Sequence, residues 1–261
     1  RRSFRFACPA EEIPVAEAML RMQGFEFESD PFFGPARRLI SGPKALGSSL
    51  AAFFGLIYIQ DRASMLPPVA LDPPKGASVL DMCSSPGSKT SQLAWLVGPH
   101  GMVLGNEPSP VRLANLRRNL HTMGLSQVVT CCQSGEKLPL PSASWDWIQL
   151  DPPCSGWGTI EKNPKVMDMW KDDKVGPLIR LQKELLREAE RLLRPGGVVV
   201  YSTCTTDVEE NEKQVIFARE ELGLNGTLIE RYFRYVKGLL TGDLGFGVLK
   251  PFWETYPAQF V

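Results

Sequence analysis

After Asp72-Pro73-Pro74, short apolar runs alternate with longer helical stretches, and this alternation restricts the fold more than any other feature of the chain. Runs of this length, separated by amphipathic segments, predict parallel strands joined by crossover helices. The strands are read at SVLDMC, MVLGNE, VVTCCQ, DWIQLD and VVVYSTC. Helices are expected from about Ser88 to Val97, Ser109 to Met123 and Pro177 to Leu193. In the last of these Leu178, Leu181, Leu185, Ala189 and Leu192 recur at helical spacing, so one face packs on the sheet. Pro195-Gly196-Gly197 is expected to end it and turn the chain into the next strand.

Before this pattern the text is mixed: an amphipathic helix from Pro9 to Gln23, then stretches rich in aromatics, Pro and Gly. The expected organisation is an α/β Rossmann-like domain over residues 55–261 with a small N-terminal α+β unit over residues 1–54. In the small unit Arg1, Arg2, Arg5, Arg37 and Arg38 interleave with Phe4, Phe6, Phe32 and Phe33. That mixture reads either as a surface that follows phosphates and stacks bases, or as core aromatics with solvated arginines.

Composition sets limits on partners. The 29 basic residues balance 29 acidic ones, so a polyanion must be held by a local patch and not by net charge. The six cysteines show no CxxC spacing and there are only two histidines, so no metal site is expected. No secretory leader or membrane-spanning run is read, which places the expected protein in the cytoplasm, with no membrane partner and with its thiols reduced. A monomer is expected, and the abrupt ends at Arg1 and Val261 read as those of a fragment.

In open parallel sheets ligands sit at the carboxyl ends of the strands, where Asp81, Glu107, Asp151 and Cys204 all fall. The first such end runs through Cys83, Ser84, Ser85, Pro86, Gly87, Ser88 and Lys89, small residues that let a ligand approach backbone N–H groups at a helix start. It is neither a dinucleotide fingerprint nor a P-loop. Glu107, ending the second strand, is suited to accept hydrogen bonds from two ribose hydroxyls. Together they point to a nucleoside-type cofactor such as S-adenosylmethionine, against the plainer reading of a capped helix and a surface carboxylate.

Two thiols, Cys154 in LDPPCSG and Cys204 in YSTCT, follow strands in the same sheet. Carbon 5 of cytosine is a poor nucleophile and is methylated only after a thiolate has added to carbon 6. Asp151 is placed to bind the ring nitrogen and exocyclic amine, and the second cysteine to assist release. Spacing leaves open which cysteine attacks. DPPC also reads as a variant of the loop used by amino methyltransferases, with Cys where an aromatic would stack the base. A further alternative is a cofactor-binding RNA-binding module without turnover. Cys131 and Cys132 read as core.

These segments resemble the Nop/Sun family of RNA cytosine-5 methyltransferases, through IQDRASMLPP, DMCSSPGSKTSQLA, LDPPCSGWGTIEKNP, LLRPGGVVVYSTCT and EENE. The resemblance implies Cys204 as nucleophile and Cys154 as the release cysteine. It implies that Cys83 through Lys89 and Glu107 hold S-adenosylmethionine, with Asp151 near both the methionyl group and the target base. Lys89 is further implied to reach the cytosine and Arg112 to support the cofactor site. Separately, Trp157, Arg117 and Arg118 read either as residues that help hold an RNA strand, ribosomal or transfer, or as ordinary surface or core residues. The chain departs from the family at Gln133-Ser134-Gly135, where an aspartate usually binds adenine, so Ser134 or Gln133 must substitute. Ser84 and Ser85 stand where alanines are common.

Overall fold

A computed structural model describes residues 2–160, 163–169 and 174–224. Arg1, Glu161 and Lys162 of the family-like stretch, and the end of the expected second domain from 225 onward lie outside the described residues. The chain divides into two compact units: Arg1–Pro153 with Leu181–Ser202, and Cys154–Arg180 with Thr203–Val261.

The first unit opens with β1 (Ser3–Phe6), α1 (Ile13–Met22), β2 (Glu26–Ser29), β3 (Ala36–Ser41), α2 (Leu50–Phe53) and β4 (Ile57–Ile59). The four strands form an antiparallel sheet in the order β2-β3-β1-β4. Phe4, Phe6, Phe25 and Phe27 bury against Ala16 and Leu20 of α1, which gives this small sheet its own core. The aromatics are therefore core. Arg5 and Arg37 are not solvated as either reading of the sequence required: Arg5 is 0% exposed, and Arg37 is buried against Glu17 at 2.7 Å. Arg5 reaches α4 of the following sheet, donating to Ser91 Oγ at 2.6 Å and Ser88 O at 3.1 Å. A phosphate-tracking role for these two guanidiniums is thereby excluded. Arg38 is exposed and pairs with Glu28.

Next come α3 (Leu66–Leu71), β5 (Ser78–Asp81), α4 (Ser88–Val97), β6 (Met102–Asn106), α5 (Pro110–Thr122), β7 (Val128–Cys131), β8 (Trp145–Leu150), α6 (Val175–Leu192) and β9 (Leu193–Tyr201). Five parallel strands take the order β7-β6-β5-β8-β9, the α/β architecture expected. Chain order reverses at β5, whose neighbours are β6 on one side and β8 on the other, so the carboxyl end of β5 is a switch point. Val79, Leu80, Val103, Ile148 and Leu150 are all buried, as strands covered on both faces require. Leu185, Ala189 and Leu192 of α6 are buried as its periodicity predicts.

Two details differ from the sequence reading. β9 begins at Leu193, so Pro195-Gly196-Gly197 lie inside the strand, where the ladder slips register between Trp145 and Trp147 and Gly196 takes φ +82°. Cys132 is exposed, and its thiol faces Pro108 O at 3.4 Å. It follows an edge strand, β7, which has a partner on one side only, so its end is not covered. In the second unit α7 (Glu212–Glu220) buries Gln214, Phe217 and Ala218.

Candidate active site

In the first unit the site is built on strand ends. β5 ends at Asp81, and residues 82–87 return to α4 with the Ser85–Pro86 peptide bond cis. The return is pinned by Ser84 N–H to Asn106 O at 2.9 Å and Gly87 N–H to Ser84 O at 2.7 Å. Gly87 has φ +105°, and a Cβ there would stand 2.9 Å from Leu116 Cδ1, so only glycine fits. Asp81 is buried, accepts from Thr90 Oγ1 at 2.7 Å, and leaves Oδ1 without a protein partner. Burial pushes its carboxyl up to about 6; the Thr90 hydrogen bond opposes this and the Asp151 charge adds to it.

Cys83 lies in the same return. Burial of the thiol, then the carboxylates Asp81, Asp151 and Glu107, hold it well above the usual thiol range. Ser84 is buried, Ser85 and Ser88 are half-buried, and Pro86 is exposed. Glu107 follows β6 and is 1% exposed; its Oε1 accepts Ser109 N–H at 2.9 Å and Oε2 lies 3.4 Å from Arg112 Nη2. Arg112 also donates to Ser85 O at 3.2 Å, so it ties the first loop to α5.

The segment that departs from the family is anchored by a residue the sequence reading did not single out. The side chain of Asn106, wholly buried, accepts Gln133 N–H and donates to Gln133 O, both at 3.0 Å. Gln133 and Ser134 are exposed, so both side chains remain accessible beside the β6 end.

Asp151, one residue past β8, takes Lys89 Nζ on Oδ2 at 2.6 Å and Ser202 Oγ on Oδ1 at 3.0 Å. Lys89 Nζ is also 3.4 Å from Ser64 Oγ. Thus Lys89 and Asp151 are brought together, as an ion pair whose lysine is largely buried. Gln182 of α6 holds the following turn by donating to Pro153 O at 2.9 Å. Neither Ser202 nor Gln182 carries a signal in sequence beyond its neighbourhood.

In the second unit Cys154 and Cys204 lie in chain without regular structure, beyond the strand ends at Leu150 and Tyr201. Their sulfurs are 3.1 Å apart; Cys204 is exposed and Cys154 half-buried. Gly158 N–H donates to Cys204 O at 2.9 Å. Gly156, at φ +74°, would place a Cβ 3.9 Å from Cys204 Sγ. Trp157 is half-buried in this unit, while Arg117 and Arg118 are exposed on α5 of the first. Among the described residues no cluster of three or more His, Cys, Asp or Glu is placed to hold a metal ion, and no helix is long and apolar enough to cross a membrane.

The model of the 16S rRNA methyltransferase RsmB/F family matches residues 68–223. Ribosomal RNA small subunit methyltransferase F of Shewanella amazonensis is 38% identical over 210 residues, covering 79% of this chain and 45% of that protein. The protein of the same name from Klebsiella pneumoniae is 39% identical over 203 residues, covering 76% of this chain and 40% of the other. The chain thus spans less than half the length of these relatives. A crystal structure of a methyltransferase homolog protein from Pyrococcus horikoshii superposes with a TM-score of 0.71 at 35% identity, over 83% of this chain and 68% of that one. With more than half of its length matched, the chain belongs to the 16S rRNA methyltransferase RsmB/F family.

Proposed function

We propose that this chain methylates carbon 5 of a cytosine in small-subunit ribosomal RNA, with S-adenosylmethionine as donor and Cys204 as a transient covalent catalyst. The observation that carries the reading is the 3.1 Å approach of the Cys154 and Cys204 sulfurs, with Cys204 exposed. A filler cysteine needs no such partner. A reaction that must both add sulfur to a ring and release it has work for two.

The first unit fits the cofactor. Glu107 presents a buried carboxylate at the end of β6, Asp81 Oδ1 lacks a protein partner, and a Cβ at Gly105 would stand 2.8 Å from Ser84 Oγ, which keeps the loop close to β6. Residues Cys83 through Lys89, with Glu107, Arg112, Ser134 and Asp151, would hold it. Bound there, S-adenosylmethionine supplies an electrophilic methyl group on a sulfonium. The chain's residues prepare the other partner. Cys204 thiolate adds to carbon 6, and the ring electrons gather at carbon 5, which becomes nucleophilic. Asp151 accepts from the exocyclic amine, and the Lys89 ammonium stabilises the negative charge that builds on the ring. After transfer Cys154, as a thiolate, takes the carbon 5 proton, the electrons of that carbon–hydrogen bond re-form the ring double bond, and the carbon–sulfur bond breaks to release Cys204 as a thiolate. Extruding the base from its stack costs roughly a few kcal/mol.

The relatives' names support ribosomal RNA over transfer RNA. A monomer working in the cytoplasm, where thiols stay reduced, belongs to the same proposal, as does the division into an RNA-handling unit over 1–54 and a methyltransferase domain over 55–261. The four-stranded sheet supports a distinct N-terminal element, although its last strand, Ile57–Ile59, lies past the proposed boundary at residue 54. The test is transfer of labelled methyl from S-adenosylmethionine to deproteinised small-subunit ribosomal RNA, followed by mass analysis of nucleosides. Label in 5-methylcytidine is expected. Label on the exocyclic amine, or RNA binding without label, would overturn the proposal.

A further inference from the structure

Neither Cys154 nor Cys204 sits on a helix or strand, yet their sulfurs stand 3.1 Å apart. No backbone ladder fixes them; apart from the Gly158 N–H bond to Cys204 O, side chains hold the two segments. One acid lies at the centre of the arrangement. Glu210 is 0% exposed and accepts from Ser155 N–H at 3.0 Å through Oε2 and from the Ser155 hydroxyl through Oε1. Ser155 Oγ is in turn 2.7 Å from Thr205 Oγ1. With the Ser155 hydroxyl hydrogen committed to the carboxylate, the Thr205 hydroxyl is the donor in that second bond. Ser155 follows Cys154 and Thr205 follows Cys204, so one carboxylate joins the two thiol-bearing segments.

The next residue closes the other side. Asn211 accepts from Thr203 Oγ1 at 2.6 Å and donates to Thr205 O at 3.1 Å and Asp207 O at 2.9 Å. Cys204 is therefore bracketed, with Thr203 held by Asn211 and Thr205 held through Ser155 by Glu210. Withdrawing a carboxylate from water is costly unless hydrogen bonds replace the lost solvation, and the paired Ser155 donors do so.

We propose that Glu210 is a positioning residue whose buried carboxylate clasps the Cys154 and Cys204 segments together and sets the approach of the two thiols. Its value for methyl transfer rests on the function proposed above; its effect on thiol geometry does not. A displacement of about 1 Å in reacting groups can cost about 100-fold, so loosening the clasp acts on catalysis without removing either thiol.

The test reads thiol geometry and turnover separately in Glu210→Gln and Ser155→Ala. Glu210→Gln keeps the shape but leaves one amide oxygen to receive two donors, and its NH₂ faces Ser155. Purified wild type and variants are treated with the thiol oxidant diamide, and the rate of the Cys154–Cys204 disulfide is followed by mass spectrometry of the linked peptide. Expected is a disulfide rate at least about tenfold slower in Glu210→Gln. The kcat for methyl transfer should fall in parallel and KM for S-adenosylmethionine should hold within about twofold, because the bonds that make the clasp run from Glu210 to Ser155, next to the thiols. An unchanged disulfide rate in a folded Glu210→Gln overturns the clasp, whatever happens to turnover. Slowed disulfide formation in a protein whose wild type methylates no RNA would keep the clasp and sink the function. Where Glu210→Gln does not fold, Ser155→Ala decides: it removes the hydroxyl links to Glu210 and Thr205 and keeps the N–H bond, and an unchanged disulfide rate there overturns the proposal equally.

Discussion

The cofactor side of the first unit and the thiol pair of the second are held by different means. Around Asp81, Glu107 and Asp151 the scaffold is a ladder: each lies at the end of a strand paired on both sides, and backbone hydrogen bonds carry the geometry. Around Cys154 and Cys204 the backbone is irregular, and beside one backbone bond from Gly158 N–H to Cys204 O it is Glu210, Ser155, Thr205 and Asn211 that carry the geometry. A strand end places a side chain whatever its neighbours are, whereas a clasp fails when one member is lost. Substitutions that spare the reacting groups should therefore be tolerated at the first region and felt at the second.

The largest effect tests the chemistry on which this contrast depends. Cys204→Ala should lower methyl transfer by at least about 1000-fold and abolish any protein–RNA adduct resistant to denaturing gel electrophoresis. Cys154→Ala should do the reverse to the adduct, which accumulates as release stalls. Equal adduct in both variants would break the assignment of roles. The matching experiment in the first region is Cys83→Ala. Its thiol is held well above the ordinary range by burial and three carboxylates, so it is not ionised near neutral pH, and transfer should stay within about tenfold of wild type.

Asp81 supplies the next largest effect, and its sign is unusual for a carboxylate. Burial raises the native carboxyl from 3.8 to about 6, so between these values the unfolded chain has lost its proton and the native state has not. Native stability contributed by this group therefore falls as pH rises through that window and stays low above it. At about 1.4 kcal/mol per pKa unit, the penalty near neutral pH is on the order of 3 kcal/mol. Asp81→Asn, which can still accept from Thr90, should be more stable than wild type near neutral pH by up to that amount. The gain should vanish below about pH 4. Denaturant melts at both pH values check it, and a gain independent of pH would remove ionisation as its cause.

Much of the ladder was legible in the sequence because periodicity reports burial. The five parallel strands and the helices α4, α5 and α6 follow the apolar runs, and the residues at their carboxyl ends were identified from position alone. Strand ends were overrun at Met82-Cys83 and Ser202-Thr203-Cys204, since an apolar or β-favouring run does not reveal where its partner strand stops. Arg5 was misread because alternation in FRF marks it as pointing away from one core. The opposite face is covered by α4, which is 83 to 86 residues away in sequence and so invisible to local pattern. The clasp was the least legible part. EENE appeared only as a family-like string, and nothing local pairs Glu210 with Ser155, 55 residues before it.

The smallest effect belongs to the ladder and sharpens the contrast most. Ser109 caps α5: Pro110 occupies the first helical position, where its missing N–H is harmless, and Ser109 Oγ accepts Arg112 N–H at 3.4 Å. That contact is long, so Ser109→Ala should cost only about 0.5 kcal/mol, the low end for a lost N-cap. The backbone N–H of residue 109 still donates to Glu107, so the carboxylate keeps its place and the KM for S-adenosylmethionine should not move by more than about twofold. A larger KM change, measured alongside thermal melts, would mean that side chains hold the β6 end as they hold the thiols. The ladder would then be no more tolerant than the clasp.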